Sequence, residues 1–177
     1  THQCDIVEEL FNKIYDDSDG ISIAHDWGIM YGDWHSETKL VPIMAAIGVQ
    51  DEDKKRALEL SKSGANVLLI DVAHGDHQNV IDMIHWCKTQ DKLQHVDIIA
   101  GNIATAEAAE LLETYGADGL RVGIGGGSLC TTRIKTGFGV PNVTSLEDVI
   151  NVSTVPVMVD GGIRSSGDIS KALSLGA

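Results

Sequence analysis

The chain has 177 residues, 43% of them apolar, and its 26 acidic and 13 basic side chains give a formal net charge of −13. That size allows one domain with a substantial core. A field this negative repels phosphate backbones and anionic lipid, so nucleic acid and membrane surfaces are not expected partners, and any bound anion must be held by local backbone N–H groups.

In chain order, Ile21 to His25 is a first short apolar run and Leu40 to Val49 a second. Asp51 to Ser63 then has helical period; acids open it, where they favour a helix N-terminus, and Gly64 stops it. Asn66 to Asp71 is the next apolar run, followed by a helical stretch at Asn79 to Lys88. Val96 to Ala100, Gly119 to Ile124 and Val155 to Asp160 complete the apolar runs, with helical stretches at Ala104 to Tyr115 and Ser145 to Asn151. Runs so continuous suit strands buried on both faces, as in a parallel sheet. The phrases SGAN, YGAD and SLGA repeat a Gly-Ala turn after helical stretches, the mark of repeated βα units.

Strand–helix alternation admits a doubly wound sheet or a (β/α)₈ barrel. The strand ends are chemically loaded, in AHD, DVAHG, GN, GIGGGS and DGG, and no G-x-G-x-x-G follows the first strand. Barrels gather their sites from the C-terminal ends of many strands. The expected fold class is therefore α/β, a (β/α)₈ TIM barrel, with residues 1–177 as a single catalytic domain. A full barrel takes about 250 residues and eight strands; about six are visible, so the expectation is an incomplete barrel, a fragment or one with flanking segments missing.

The densest chemistry lies in Val122 to Pro141, VGIGGGSLCTTRIKTGFGVP. Its glycines let backbone dipoles converge on an ion, and Cys130 follows among hydroxyls and cations, where a thiol becomes a nucleophile. Asp160-Gly161-Gly162 closes a strand with bare N–H groups for a phosphate and a carboxylate for ribose hydroxyls. Asp71, in DVAHG, faces the barrel mouth, where it can orient a cofactor or hold a base. The spacing of His74, Asp76 and His77 matches no standard metal site, and His25 with Asp26 reads as a satisfied loop pair. Trp27, Trp34 and Trp86 read as packing residues, and Cys4 and Cys87 as small buried hydrophobes. Three cysteines, an odd number, make no disulfide framework and point to a reducing compartment; with no signal peptide and no run long enough to span a bilayer, the expected location is cytoplasmic.

These residues resemble the IMP dehydrogenase/GMP reductase barrels from about Leu40 to Ala177. The resemblance rests on DVAHG, AGN (Ala100 to Asn102), VGIGGGSLCTTR, KTGFGVP and DGGI with SGDISKAL. It implies that the Cys130 thiolate adds to C2 of a purine nucleoside monophosphate, with NADPH or NAD exchanging hydride at that carbon. Ser128, Gly161 and Gly162 would hold the 5′-phosphate and Asp160 the ribose hydroxyls. Asp71 would lie beside the nicotinamide, and Thr132 near the group entering or leaving C2. The resemblance further implies a potassium ion on the backbone carbonyls of Gly125, Gly127 and Cys130, and a homotetramer of barrels. IKTGFG after Arg133 is similar to the reductase branch, which favours GMP reductase (GMP and NADPH to IMP and ammonia) over IMP dehydrogenase (IMP and NAD to XMP). A non-catalytic nucleotide-binding relative is a further reading, against which the complete Cys-Thr-Thr loop stands. One departure is Asn142, where the family usually has Gln.

Overall fold

The computed structural model describes residues 4–9, which are helical, and residues 42–177. Five strands lie side by side, all parallel: β1 (Met44–Ile47), β2 (Val67–Asp71), β3 (Asp97–Ile103), β4 (Gly119–Val122) and β5 (Val157–Val159). Their spatial order is their chain order. A doubly wound sheet reverses its order at a switch point; this one does not, and its strands form a continuous stretch of barrel wall. The expected strand at Ile21 to His25 lies outside the described residues, as do Asp26, Trp27 and Trp34.

Helices α1 (Asp51–Lys62), α2 (Gln78–Thr89), α3 (Ala106–Thr114), α5 (Asn142–Ile150) and α6 (Ser166–Ser174) follow the five strands in turn, and a short helix, α4 (Thr132–Thr136), interrupts the path from β4 to α5. Alternation along the strands explains how the layers meet. Leu68, Ile70, Ile98, Ala100, Leu120 and Val122 share one buried cluster with Leu60, Ile84, Leu112 and Leu146 from the helices. Residues out of phase with these, such as Leu69 and Arg121, turn to the barrel interior. Burying one leucine stabilises by about 1.5–3 kcal/mol, more than an exposed ion pair such as Lys55–Glu59 on α1 supplies. Packing, not surface charge, holds the helices to the wall.

Local chemistry sets the ends of the elements. At α1 the Asp53 carboxylate accepts the Gln50 N–H at 2.9 Å, and three acids fill the first turn against the helix dipole. The imidazole of His77 caps α2 by accepting the Asn79 N–H at 3.2 Å. Gly64, Gly116 and Gly176, the glycines of the repeated Gly-Ala turn, have φ of 106°, 100° and 107°, a region that other residues enter only with strain. The alanines that follow at 65 and 117 are buried in the core.

Glu113, at the C-terminal end of α3, ties the loop before β5 to the helix layer. Its carboxylate accepts the Ser153 hydroxyl at 2.6 Å, the Thr154 hydroxyl at 2.7 Å and the Thr154 N–H at 3.1 Å. Partial burial works against the charged form, but the Ser153 and Thr154 hydrogen bonds outweigh it and hold the carboxyl below its ordinary 4.5. A depressed carboxyl contributes stability that is present above the unfolded-state value and is lost as pH falls through the folded one. Glu113→Gln is therefore expected to lower unfolding free energy by about 1 kcal/mol at neutral pH. In urea titrations the gap from the unsubstituted chain should close as pH falls below 4.5; a gap constant with pH would contradict this.

Candidate active site

The C-terminal ends of the strands converge on a cavity of about 310 Å³ whose lining includes Asp71, Gly125, Gly127, Cys130, Thr132 and Asp160. Register explains why. Asp71 on β2 is level with Gly101 on β3, which is level with Arg121 on β4. Gly101 is a requirement of close approach, because a Cβ there would sit 2.4 Å from the Arg121 carbonyl oxygen and 2.7 Å from its Cβ. The guanidinium thus reaches carboxylates on both sides. Nη1 stands 2.9 Å from Asp71 Oδ1, a charge contact more than an aligned hydrogen bond, and Nη2 stands 3.1 Å from Asp160 Oδ1. Burial works against the Arg121 charge, but the two carboxylates outweigh it, so the cation is retained at any working pH.

Asn102 supports the same carboxylate from the other side. Its side-chain amide donates to Asp160 Oδ2 and to the Gly123 carbonyl, both at 2.7 Å. The residue is 8% exposed and also lines the cavity; its Oδ1 is buried without a partner. Asp160 is therefore held by two neighbours in a fixed orientation, with its carboxylate at the cavity wall.

The turn after β4 carries the thiol. The Cys130 N–H donates to the Gly127 carbonyl at 3.1 Å, and Cys130 Sγ lies 3.2 Å from Thr132 Oγ1 at the start of α4. The Thr132 hydroxyl, then its N–H, the Gly125 N–H and the Arg133 charge together hold the thiol below its ordinary value. Cys87 is the opposite case: it is 1% exposed in the core, where burial pushes its thiol up to about 11. The two cysteines thus differ in surroundings, one on a polar turn at the cavity and one in the apolar core. Cys4 is half-buried, and it and Trp86 pack against the core.

Of the remaining predicted residues, Ser128 is exposed and is not part of the cavity lining. Gly161 abuts Gly127, since a Cβ on Gly161 would lie 2.8 Å from the Gly127 nitrogen. The DGG turn and the GIGGGS turn are thus in backbone contact, with Gly162 just beyond. His74, Asp76 and His77 gather no metal site: among the described residues no group of three or more His, Cys, Asp or Glu is placed to hold an ion. No helix among those residues is long and apolar enough to cross a membrane.

Residues 33–177 match the family model described as the IMP dehydrogenase / GMP reductase domain. The chain belongs to this family. It is 50% identical to a GMP reductase from Leishmania donovani over 136 residues, 75% of this chain and 28% of that protein. It is equally similar to an inosine-5′-monophosphate dehydrogenase from Thermoplasma acidophilum, 51% over 145 residues, 80% of this chain and 29% of that one. Among solved structures, a variant GMP reductase from Trypanosoma brucei in complex with guanosine 5′-monophosphate superposes with a TM-score of 0.76 at 46% identity, over 77% of this chain and 29% of that chain. The chain thus spans less than a third of the length of these relatives. Barrel fold and oxidoreductase family are settled by these matches; near-equal identity to both enzymes does not separate their reactions.

Sequence reasoning assigned no role to Arg121 or Asn102. A signal for Arg121 existed: it is the lone cation in the apolar run GLRVGI, and a charge in a strand buried on both faces needs partners. Asn102 stands beside Gly101 in AGN, but which carbonyl and carboxylate it reaches depends on the spacing of three strands.

Proposed function

We propose that this segment is the core of a catalytic barrel domain that binds a purine nucleoside monophosphate and attacks its C2 with Cys130, and that the reaction is that of a GMP reductase. The observation that carries the reading is a poised Cys130–Thr132 pair at 3.2 Å, sharing one cavity with the Asp160 carboxylate. Ser128, Gly161 and Gly162 offer a hydroxyl and backbone N–H groups to the 5′-phosphate, and Asp160, braced by Asn102 and Arg121, takes the ribose hydroxyls. Anchored at both points, the base is presented to Sγ as a near-attack geometry.

In the reductase direction the thiolate adds to C2 of GMP, and the 2-amino group leaves as ammonia with a proton. That leaves a thioimidate between Cys130 and C2. Hydride addition at C2 and expulsion of the thiolate then give IMP. In the dehydrogenase direction the same thioimidate forms by loss of hydride from C2 of IMP, and water releases XMP. In this reading Thr132, 3.2 Å from the thiol, holds a proton of the group that leaves or enters.

The cavity's donor set fits a nicotinamide nucleotide: the Asp71 carboxylate and the unpartnered Asn102 Oδ1 are acceptors for its hydroxyls and carboxamide N–H groups. When bound, that cofactor, NADPH for the reductase or NAD for the dehydrogenase, supplies hydride exchange at C2. Carbonyl oxygens at Gly125, Gly127 and Cys130 suit a potassium ion, since the Gly127 oxygen that accepts the Cys130 N–H keeps a second lone pair. We further propose a cytoplasmic homotetramer acting on free mononucleotides, not on nucleic acid or membranes.

KTGFG (Lys135 to Gly139) favours the reductase over the dehydrogenase. In the longest natural form of the chain, with potassium present, absorbance of reduced nicotinamide is expected to fall with GMP and NADPH and to stay flat with IMP and NAD. A rise in the second mixture alone would establish the dehydrogenase. Silence in both, with GMP or IMP still binding, would favour a non-catalytic relative.

A further inference from the structure

We propose that Asn142 is a positioning residue that fastens the nucleotide-holding turn after β5 to the cysteine-bearing turn after β4, and so sets the reach between bound nucleotide and Cys130. The inference rests on the nucleotide reading above.

Asn142 is the first residue of α5, directly after Pro141 at the helix N-cap. Its side chain turns away from its own helix. The amide nitrogen donates to the Gly161 carbonyl at 2.6 Å and lies 3.2 Å from the Asp160 carbonyl. The same amide presses on the opposite turn: a Cβ on Gly126 would lie 2.7 Å from Asn142 Oδ1 and 3.0 Å from Nδ2. Gly161 in turn abuts Gly127. Two bare backbone turns therefore meet against one side-chain amide, and their spacing follows its size and its donors.

Asn142 Oδ1 is buried without a partner. A residue that served only to fill space there would do better as an apolar one of similar volume, because an unpaired buried acceptor is destabilising. The donor half of the amide is what the position uses. Asn142 is not part of the lining of the catalytic cavity, so it acts through Asp160 and Gly161 and not on the reacting atoms. Asn is also one methylene shorter than the Gln usual in this family, which makes the spacing a property of this chain.

The test uses the longest natural form of the chain and three variants. Asn142→Asp is nearly isosteric but replaces the N–H donors with an oxygen facing two carbonyls; Asn142→Ala removes the amide, and Asn142→Gln restores it on a longer arm. Misplacement by about 1 Å can cost roughly 10²-fold in rate, so kcat is expected to fall by about 30- to 100-fold in Asn142→Asp and Asn142→Ala. The nucleotide KM should change less than about threefold, because each turn keeps its own contacts. Iodoacetamide alkylation of Cys130 without nucleotide should stay within about twofold of the unsubstituted rate, since the thiol's own turn is intact. Asn142→Gln should recover about tenfold of the lost kcat, because the donors return.

The proposal is overturned if kcat is unchanged in Asn142→Asp and Asn142→Ala, or if Asn142→Gln is as impaired as Asn142→Asp. It is also overturned if kcat, alkylation rate and melting temperature fall together, which is loss of structure only. An unsubstituted chain silent toward both nucleotide pairs overturns the nucleotide reading and this inference with it. An active one with an unimpaired Asn142→Asp variant overturns this inference alone.

Discussion

Replacing Cys130 with Ala should lower turnover by on the order of 10⁴-fold or more, because the covalent route is lost and nothing nearby substitutes for the thiolate. Nucleotide affinity should change little, within about threefold, since the phosphate and ribose contacts proposed above lie on other residues. Calorimetric titration with GMP and IMP beside steady-state kinetics separates the two effects. Cys130 is half-buried in the cavity lining and not in the core, so the fold should tolerate its loss. Turnover close to that of the unsubstituted chain would remove Cys130 from the mechanism. A matching loss of nucleotide affinity would mean instead that the thiol shapes the binding turn.

The second large effect is expected at Arg121. Arg121→Met keeps much of the side-chain volume but leaves Asp71 and Asp160 facing one interior without the cation between them. Breaking a buried pair costs about 3–5 kcal/mol and an exposed one less than about 1 kcal/mol. Arg121 is 19% exposed while its partners are 45% and 37% exposed, so an intermediate loss of roughly 1–3 kcal/mol in unfolding free energy is expected. The kinetic effect should be larger. Asp160 stays tethered by Asn102, but Asp71 loses the contact that orients it, and kcat/KM should drop by roughly 10²-fold. Arg121→Lys should rescue stability more than activity, because one ammonium cannot span two carboxylates as a planar guanidinium does. Kinetics of Arg121→Met within threefold of the unsubstituted chain would show that the ion triad is structural only.

Much of this was legible in the residues. Every described strand falls within or beside an apolar run, and the Gly-Ala turns proved to be helix stops with positive φ. The boundaries were less so. Strand β3 runs on past Ala100 to Ile103 and so carries Gly101 and Asn102 into the site; these residues break the apolar run, and pairing with the neighbouring backbone at Asp71, Val72 and Arg121 keeps them in the sheet. Helix α5 begins at Asn142, three residues before the periodic apolar stretch, because Pro141 already supplies its N-cap φ of −60°. Short α4, TRIKT, has five residues and no buried face, and so offered no period to read.

The site divides in the same way. Asp71 and Asp160 stand at strand ends, and Cys130 and Thr132 on and just after the glycine-rich turn that follows β4, where residue type and position together announce chemistry. Arg121, Asn102 and Asn142 act across strands or between turns. Their partners lie 50, 58 and 19 residues away in sequence, at Asp71, Asp160 and Gly161, and no local pattern encodes such pairings. The phosphate-holding role proposed for Ser128, Gly161 and Gly162 rests on family likeness and on the contact between their turns.

The most direct test of the central claim is to quench the turning-over protein in acid and weigh the peptide that contains Cys130. A purine nucleotide covalently attached to Cys130, absent from the Cys130→Ala variant and formed from GMP alone or from IMP with NAD, is the expected result. Steady turnover with an unmodified Cys130 at every quench time, or with the nucleotide attached to another residue, would contradict it.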